Sequence, residues 1–372
     1  MKEYRICTNC IMDTTDPDIM FDSNGVCSNC NSYYNMIKQF EKSVGNKKDE
    51  FKKIVNKIKE DCKEDKYDCI IGISGGVDSA YLTYIAHKCG LRILAVHVDA
   101  GWNSEIAVSN IKKICKVLGI ELHTVVIDWS TMKELQRAYM FSGLPNLDIP
   151  QDHAFIAAVY EYADKYKIKY ILNGSNYATE GILPSAWGYD AKDYICIKDV
   201  YKKCGRNKIS LKKYPHMGIM KYIKYTYFGK AKKINLLNYI DYSKKDAIKL
   251  LHEKFDWEYY GGKHFESRFT KWFQSYYLPK KFGYDKKRAH LSSLIVGGEM
   301  SREEALVQMS DLSNYTETEM EEDLEYILKK LEISEEEWNF IMEAPTKTEN
   351  DYKNYNKIMN FMRKLKNAIR IK

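Results

Sequence analysis

The sequence predicts a doubly wound α/β domain, with a parallel sheet covered by helices on both faces, between a short cysteine-rich segment and a helical C-terminal portion. Three observations support this prediction. From residue 67 onward, short apolar runs alternate with amphipathic stretches, which is typical of strands separated by helices. A glycine-rich turn follows the first of these runs. Four cysteines stand in two closely spaced pairs before residue 31.

Composition is that of a globular protein. The 372 residues are 45% hydrophobic and 29% charged, enough for one large domain or two modest ones with an appendage. No apolar run approaches the roughly 20 residues of a membrane-spanning helix, and residues 1–5 lack the apolar core of a secretory signal. We therefore expect a cytoplasmic location, where the ten cysteines indicate metal ligands or buried thiols rather than disulfides.

The predicted elements follow in chain order. A charged helical connector covers residues 36–66, and helices are expected at 79–89, 105–118 and 152–166. Strands are expected at 69–73, 93–98, 122–127 and 170–172, with the alternation resuming at 234–237. Capping boxes at 301–304 and 334–337 open later helices, and residues 352–372 have the pattern of a basic amphipathic helix. The resulting domains are 1–35, 36–66, 67–240 and 241–372.

A basic segment interrupts the sheet region at residues 192–233. It holds thirteen Lys/Arg against two Asp, a local charge of 13 − 2 = +11, so the remainder of the chain carries 7 − 11 = −4. Six tyrosines are interleaved with these cations. The segment could receive a polyanion, a phosphorylated substrate or an acidic protein surface, or it could equally be a solvated, lysine-rich loop.

Residues 74–79 have the features of a phosphate-binding loop. Gly75 and Gly76 let the backbone approach a phosphate, and the N-terminus of the following helix supplies positive potential. The carboxylate of Asp78 would repel phosphate, so it indicates a Mg²⁺ partner or a loop-shaping role. The loop lacks the Lys-[Ser/Thr] ending of a Walker A motif. It resembles the Ser-Gly-Gly-x-Asp-Ser motif of the PP-loop (HUP-like) ATP pyrophosphatases, which split ATP between its α- and β-phosphates. Expected ATP-binding residues are Ser74, Gly75, Gly76, Val77, Asp78 and Ser79.

Two later turns support an ATP site. Asp99 ends the second strand, and the turn containing Gly174 and Asn176 follows a later strand and resembles the Gly-x-x-Asn…Glu turn of NAD synthetase. Both lie where open α/β sheets bind ligands, at the carboxyl ends of strands. Alternatively, Asp99 only caps a loop and Asn176 only stabilises a turn.

The cysteine pairs predict a zinc ribbon. Cys7-x₂-Cys10 and Cys27-x₂-Cys30 each present two sulfurs on one edge of a tetrahedron, and together they close a four-thiolate shell around structural zinc. A redox role is the main alternative. It is weaker, because no thioredoxin-like unit surrounds the pairs.

Most of the chain resembles one family, the N-acetyl sugar amidotransferases that make acetamidino sugars for bacterial surface glycans such as lipopolysaccharide. The likeness runs from the first cysteine to about Ala305. It rests on the motif of residues 7–17, the Cys27/Cys30 pair, the phosphate loop, and the blocks at 261–269 and 286–295.

That resemblance implies a reaction. The acetamido oxygen of an N-acetyl sugar, free or nucleotide-linked, attacks the α-phosphorus of ATP, and ammonia then displaces AMP to leave an acetamidine. Lys263, His264, Glu266 and Arg268 would serve it, the last two orienting hydroxyls and His264 moving a proton. Alternatively, these residues form a helix whose polar face pairs internally. Cationic stabilisation could come from Lys280, Lys281 or the run 286–288, although such runs are usually solvated.

The chain shows no glutaminase motif, so the resemblance implies a separate glutamine amidotransferase subunit that supplies ammonia. Nucleic acid is an unlikely partner on this interpretation. Thiolation of tRNA is the alternative function, and it would use the same loop, the zinc ribbon and the basic segment. A non-enzymatic zinc-ribbon module is a third hypothesis, which the intact phosphate loop argues against.

Overall fold

The structure, a computed structural model, describes residues 3–228 and 231–362 and contains one parallel sheet. Its order is β3-β2-β1-β4-β5, and all neighbouring strands run parallel. The α/β fold predicted from the sequence is therefore confirmed. The strands are β1 Cys69–Gly72, β2 Ile93–Asp99, β3 Glu121–Val126, β4 Tyr170–Leu172 and β5 Lys232–Ile234.

Helices cover both faces of the sheet and make up the C-terminal region. Those up to β5 are α1 Ser28–Val44, α2 Lys47–Asp61, α3 Val77–Lys88, α4 Glu105–Leu118, α5 Trp129–Met140, α6 Ile149–Lys165, α7 Tyr177–Glu180, α8 Tyr194–Cys204 and α9 Ile219–Tyr227. Those after it are α10 Lys244–Phe255, α11 Arg268–Trp272, α12 Lys286–Val296, α13 Arg302–Ser310, α14 Glu317–Leu331 and α15 Glu335–Glu343. A π-helix, Phe273–Phe282, continues α11. Within the described residues, no helix is both long and apolar enough to cross a bilayer.

Alternate strand residues bury their side chains on opposite faces, as a doubly wound sheet requires. Ile70 of β1 and Leu94 of β2 belong to one core with the cysteine cluster and the C-terminal helices. Ile71 and Ala95 belong to the other, with α2, α3, α4 and α10. The ribbon, the sheet and the helical region share a continuous core. This core gives no point at which to divide the chain, so the predicted domain boundaries stay predictions.

The strand order places a cleft at the carboxyl end of β1. The chain leaves β1 toward β2 on one side, whereas β4 pairs with β1 on the other. Loops after β1 and β4 therefore diverge and leave a crevice between them, the usual ligand site of open α/β sheets.

The N-terminal segment docks on α12 and α13 through arginine. Arg302 donates to the backbone oxygens of Cys7 and Cys10 at 3.0–3.2 Å. Arg288 donates to the Ile11 oxygen at 2.7 Å and pairs with Asp13 at 3.1 Å. These contacts fix the position of the cysteine loops relative to the helical region.

Several predicted elements differ from the structure. The connector is two helices, α1 and α2, with Gly45 at positive φ between them, and α1 already begins inside the ribbon. The strand expected at 234–237 ends at Ile234, because a 3₁₀ turn, Leu236–Tyr239, follows. Of the helix expected at 352–372, residues 356–362 are helical and 352–355 are not, while 363–372 lie outside the described residues.

The basic segment is partly folded against α6 and is not a simple solvated loop. Helices α8 and α9 lie within it, and its residues 229–230 lie outside the described part. His153 of α6 stacks on Tyr194 and Tyr214 and accepts the Met217 N–H at 3.0 Å. Burial lowers the pKa of His153 to about 4, so the ring stays neutral and can accept this bond.

Candidate active site

The phosphate loop begins at the end of β1 and runs into α3 as predicted. Gly75 has φ = 87°, and a Cβ there would lie 2.6 Å from the Ala107 oxygen, so only glycine fits. Gly76 is the N-cap of α3 and gives it no side-chain cap. Ser74 Oγ accepts the Gly76 N–H at 3.3 Å and lies 3.3 Å from Ser79 Oγ. The loop therefore presents glycine backbone and serine hydroxyls at a helix N-terminus, an arrangement suited to phosphate.

A cavity of about 260 Å³ lies above this loop. Its opposite wall is formed by the turn after β4, at 173–175, and by the segment 259–266. Lys244 and Lys263 bring positive charge to it, and Glu180 and Glu266 bring negative charge. A cavity with both signs of charge suits a polyphosphate bound with a divalent cation.

Asp78 joins the loop to two other parts of the chain. Its Oδ1 accepts from Asn176 Nδ2 at 3.1 Å and from the Tyr242 hydroxyl at 2.5 Å. Burial raises the pKa of the Asp78 carboxyl, against the opposing effect of Lys263. The loop-shaping role that the sequence left open is thus visible, and the Mg²⁺ role stays a prediction.

Asn176 and Gly174 bring the β4 turn against the phosphate loop. A Cβ on Gly174 would lie 3.1 Å from Ser79 N, so the two loops are in close contact there. Asn176 is buried and also caps α7 by accepting the Thr179 N–H at 2.9 Å. Asn176, which the sequence predicts to bind ATP, therefore stabilises the phosphate loop through Asp78 as well as its own turn.

A second cavity of about 280 Å³ adjoins the first and is largely apolar. The two share Gly72, Ser74 and Asn173. Phe155 of α6 lines it, as does His97 of β2, whose Nδ1 donates to the Ile73 oxygen at 3.0 Å. An apolar cavity continuous with a phosphate site at the end of β2 has the shape and chemistry for a nucleoside.

The basic segment contributes to this second cavity. Lys192 and Lys233, near its two ends, both line the cavity wall. Part of the segment's charge therefore faces the cleft beside the sheet.

The segment 261–267 is a loop and not the polar helix considered from the sequence. His264 has φ = 66°, an uncommon conformation for a residue with a side chain and one that concentrates at functional sites. Its Nδ1 lies 3.6 Å from Glu266 Oε1. Lys263 Nζ donates to Glu180 at 3.1 Å. All three of Lys263, His264 and Glu266 line the phosphate cavity.

Three predicted residues or groups lie elsewhere. Arg268 pairs with Asp323 and lines a separate opening of about 480 Å³ beside Trp102. Asp99 accepts from Gly101 N and Asn103 Nδ2, so it caps the loop after β2. Most cations at 280–288 serve other contacts: Lys281 binds carbonyls at 341–344, Lys286 binds Asn146, and Arg288 binds the ribbon.

A third cavity of about 190 Å³ opens within the C-terminal region beside the phosphate cavity. Both cavities are lined by Lys244, Tyr259 and Lys263. His290 and Lys287 of α12 lie on its wall, and burial lowers the pKa of His290 well below its usual range. A neutral imidazole, aromatic surface and cations can together receive a polar substrate that reaches the phosphates.

The four ribbon cysteines have the geometry of a metal site. All four are buried, and their sulfurs lie within 4.8 Å of one another. The Cys7–Cys30 and Cys10–Cys27 sulfur distances are 4.0 and 3.7 Å. A zinc–sulfur bond of about 2.3 Å gives a tetrahedral edge of about 3.8 Å, so the spacing fits. Backbone N–H groups of residues 9, 10 and 12 point at these sulfurs, as they do around thiolates.

Some site residues escaped the sequence analysis. Tyr242, Lys244 and Tyr260 come from distant parts of the chain, and Tyr260 donates to Glu266 at 3.1 Å. Only Tyr260 had a local signal, since it directly precedes Gly261-Gly262 and the block already singled out.

We predict that Asn176→Ala weakens ATP binding at least about fivefold, because it leaves the buried Asp78 carboxylate without one of its donors. Asn46→Ala is the matched control: it also removes the N-cap of a helix, α2, but far from the cleft. Each variant should lose about 1 kcal/mol of stability through its cap. Calorimetric titration with a non-hydrolysable ATP analogue measures the difference, and equal affinities would contradict the role given to Asn176.

Two stretches of the chain match known protein families. Residues 266–366 match the family described as "LPS biosynthesis protein WbpG-like, C-terminal domain", and residues 68–186 match "Queuosine biosynthesis protein QueC". One subunit of the glutamine-hydrolyzing GMP synthase of Archaeoglobus fulgidus is 29% identical over 130 residues, 33% of this chain and 39% of that protein. The tRNA-specific 2-thiouridylase MnmA 2 of Fusobacterium nucleatum is 26% identical over 112 residues, 28% of this chain and 32% of that protein.

The chain thus spans well under half the length of either curated relative. Among solved structures, NMN synthetase from Francisella tularensis matches 36% of this chain and 56% of its own, with 23% identity and a TM-score of 0.29. The QueC match covers the phosphate loop and the β4 turn, and the WbpG-like match covers Glu266 and α12. These matches confirm the predicted resemblance: one stretch of the chain matches a PP-loop family and a second stretch matches the WbpG-like C-terminal domain.

Proposed function

We propose that this protein is an ATP-dependent amidotransferase that converts the acetamido group of an N-acetyl sugar into an acetamidine, releasing AMP and pyrophosphate. The observation that supports it most is the continuity of the cavities. The phosphate cavity shares Lys244 and Lys263 with a cavity whose other lining residues come mainly from the WbpG-like match at 266–366. ATP and a second, polar substrate can therefore meet at one point.

Two steps make up the reaction. The acetamido oxygen attacks the α-phosphorus, an O–P bond forms, and the α–β bridging bond breaks to release pyrophosphate. Ammonia then attacks the imidate carbon, a C–N bond forms, and AMP leaves with the electron pair of the C–O bond. Adenylation is needed because an amide oxygen is a poor leaving group until it carries a phosphate.

The chain's residues can serve both steps. Backbone N–H groups at the start of α3 and the ammonium of Lys263 stabilise the charge that develops on pyrophosphate. Mg²⁺, held by Asp78 and Glu180, would neutralise further phosphate charge. His264 beside Glu266 can accept a proton from the attacking nitrogen. Although burial opposes it, the contact with His264 lowers the pKa of Glu266, so this carboxylate can stabilise an imidazolium.

The protein would act in the cytoplasm, on a sugar destined for lipopolysaccharide or a related surface glycan. A separate glutaminase subunit would supply the ammonia. One relative is named as a single subunit of a glutamine-hydrolyzing synthase, and this supports such a division of labour. Thiolation of tRNA is the second candidate, supported by the 2-thiouridylase relative.

The central test is pyrophosphate release from ATP, Mg²⁺ and high ammonium, with a panel of free and nucleotide-linked N-acetyl sugars and bulk tRNA as a parallel sample. We expect release that requires a sugar, yields AMP, and falls at least about 100-fold in Asp78→Ala. Asp164→Ala, an exposed acid on α6, is the matched control. Pyrophosphate release that is stimulated by tRNA, but by none of the sugars, would overturn the proposal in favour of thiolation.

We further propose that the ribbon holds zinc. The purified chain should contain about one zinc per molecule by mass spectrometry of metals, and Cys10→Ser should lose it together with much of the ribbon's resistance to proteolysis. Cys89→Ser, a partly exposed cysteine of the α3 C-cap, should keep its zinc. Iron with acid-labile sulfide in place of zinc would show that the four thiolates hold a cluster instead.

A further inference from the structure

A buried polar cluster behind the active-site cleft has no part in the steps above. Asp148 is the N-cap of α6, Asp152 lies in the first turn of α6, and Lys286 is the first residue of α12. Asp152 accepts from the Tyr189 hydroxyl. Lys286 Nζ donates to Asn146 at 2.9 Å and lies 5.1 Å from the Tyr189 ring centre. Two acids and a lysine are thus enclosed together in the interior.

One oxygen of this cluster has no partner. Asp148 is 3% exposed, and its Oδ1 makes no hydrogen bond with any part of the chain that the structure describes. Two further polar atoms, Trp187 Nε1 and Tyr284 Oη, are buried without hydrogen-bond partners among the described residues. Trp187 stands two positions before Tyr189 in the sequence, and Tyr284 stands two positions before Lys286. Leaving a buried carboxylate oxygen without a donor is costly, so a small donor molecule is expected beside it.

The cluster lies at the reacting end of the sheet. α5 and α6 lie between β3 and the parallel strand β4, and α6, the helix directly before β4, runs back along the sheet from the carboxyl ends of the strands. Phe155 and Val159, one and two turns after Asp152 along α6, line the second, largely apolar cavity. His264 and Glu266 of the phosphate cavity are close enough to influence the ionisation of Asp152. The two acids of the cluster are therefore near charged groups of the phosphate cavity.

We infer that Asp148 binds ammonium and accepts its proton, delivering ammonia to the adenylylated acetamido group; this rests on the proposed function. An ammonium ion donates hydrogen bonds, is as small as the water that such a buried site could hold, and carries the charge that an enclosed pair of carboxylates favours. Lys286, already enclosed there, shows that this interior accommodates an alkylammonium group.

The protons balance. Of the four protons of ammonium, one passes to Asp148 when ammonia forms, one passes to His264 when the nitrogen attacks, and two remain on the new C–N nitrogen. The sugar nitrogen keeps its amide proton, so the acetamidinium carries three N–H protons once AMP has departed. Burial, then the neighbouring Asp152, raises the pKa of Asp148 well above its usual range, which makes it a stronger base than an ordinary carboxylate. Burial lowers the pKa of Lys286 to about 8. Asp148 faces Asp152, Lys286 and Glu266, and Thr270 of α11 contacts it.

The test compares two nucleophiles in Asp148→Asn. Ammonia is mostly protonated at neutral pH and needs a base, whereas hydroxylamine is largely unprotonated and does not. We expect kcat/KM for ammonium to fall about 100-fold or more, and use of hydroxylamine to change less than about threefold. Pyrophosphate–ATP exchange with sugar, which reports adenylation alone, should stay at the wild-type rate. Asp164→Asn, at the exposed end of the same helix, is the control.

The outcomes separate the two proposals. Three outcomes in Asp148→Asn would overturn the ammonium site. They are an equal loss of kcat/KM with both nucleophiles, no loss with either nucleophile, and a loss of pyrophosphate–ATP exchange. Absence of sugar-dependent exchange in the unmodified chain would instead overturn the proposed function. If Asp148→Asn does not fold, Asp152→Asn, which can still bind the Tyr189 hydroxyl, takes its place with the same expected selectivity.

Discussion

The site depends on one buried carboxylate. Asp78 lies in a loop that must present positive potential, and its negative charge is tolerated because Asn176 and Tyr242 donate to it. Asn176 lies in the turn after β4, and Tyr242 lies in the segment before α10. The two hydrogen bonds to Asp78 therefore also hold these two segments against the cleft. A buried charge without such partners would be costly enough to disfavour the loop conformation.

The C-terminal region and the ribbon support this arrangement from behind. Gly297, at the end of α12, lies against α7, where a Cβ would come within 2.5 Å of the Ala178 oxygen. Ser293 of α12 accepts the Ile182 N–H at 2.9 Å. The other side of α12 binds the ribbon through Arg288. The cysteine loops contact α12, and α12 contacts the turn that carries Asn176. This chain of contacts gives the ribbon a structural connection to the cleft.

Much of this could be predicted from the sequence because the signals are local. Strands β1 to β4, the phosphate loop and the cysteine pairs each occupy a few consecutive residues whose spacing reflects their chemistry. Helix α5 was not predicted, and helices α8 and α9 were hidden in a segment dominated by lysine. The buried face of α8 mixes Tyr194 with Ile197 and Val200, and Tyr222 is buried on α9, so the apolar pattern of both helices is interrupted by tyrosines.

Part of the site could also be predicted because some of its residues are close together in the sequence. Lys263, His264 and Glu266 stand in one block and were found together, but the same block suggested Arg268, which turns toward Asp323 on α14. Lys244 and Tyr242 reach the cleft through tertiary folding alone. Asp148 and Lys286, more than a hundred positions apart, come near each other only because the fold brings the N-terminal ends of α6 and α12 together, and no local pattern indicates such a pair.

The most direct measurement follows one oxygen atom. An N-acetyl sugar labelled with ¹⁸O in its acetamido carbonyl is incubated with the protein, ATP and ammonium, and the products are examined by mass spectrometry. The proposed mechanism predicts that the label appears in the phosphate of AMP, because that oxygen attacks the α-phosphorus and leaves with it. Label retained in the sugar, or AMP carrying oxygen from water, would contradict adenylation of the acetamido group.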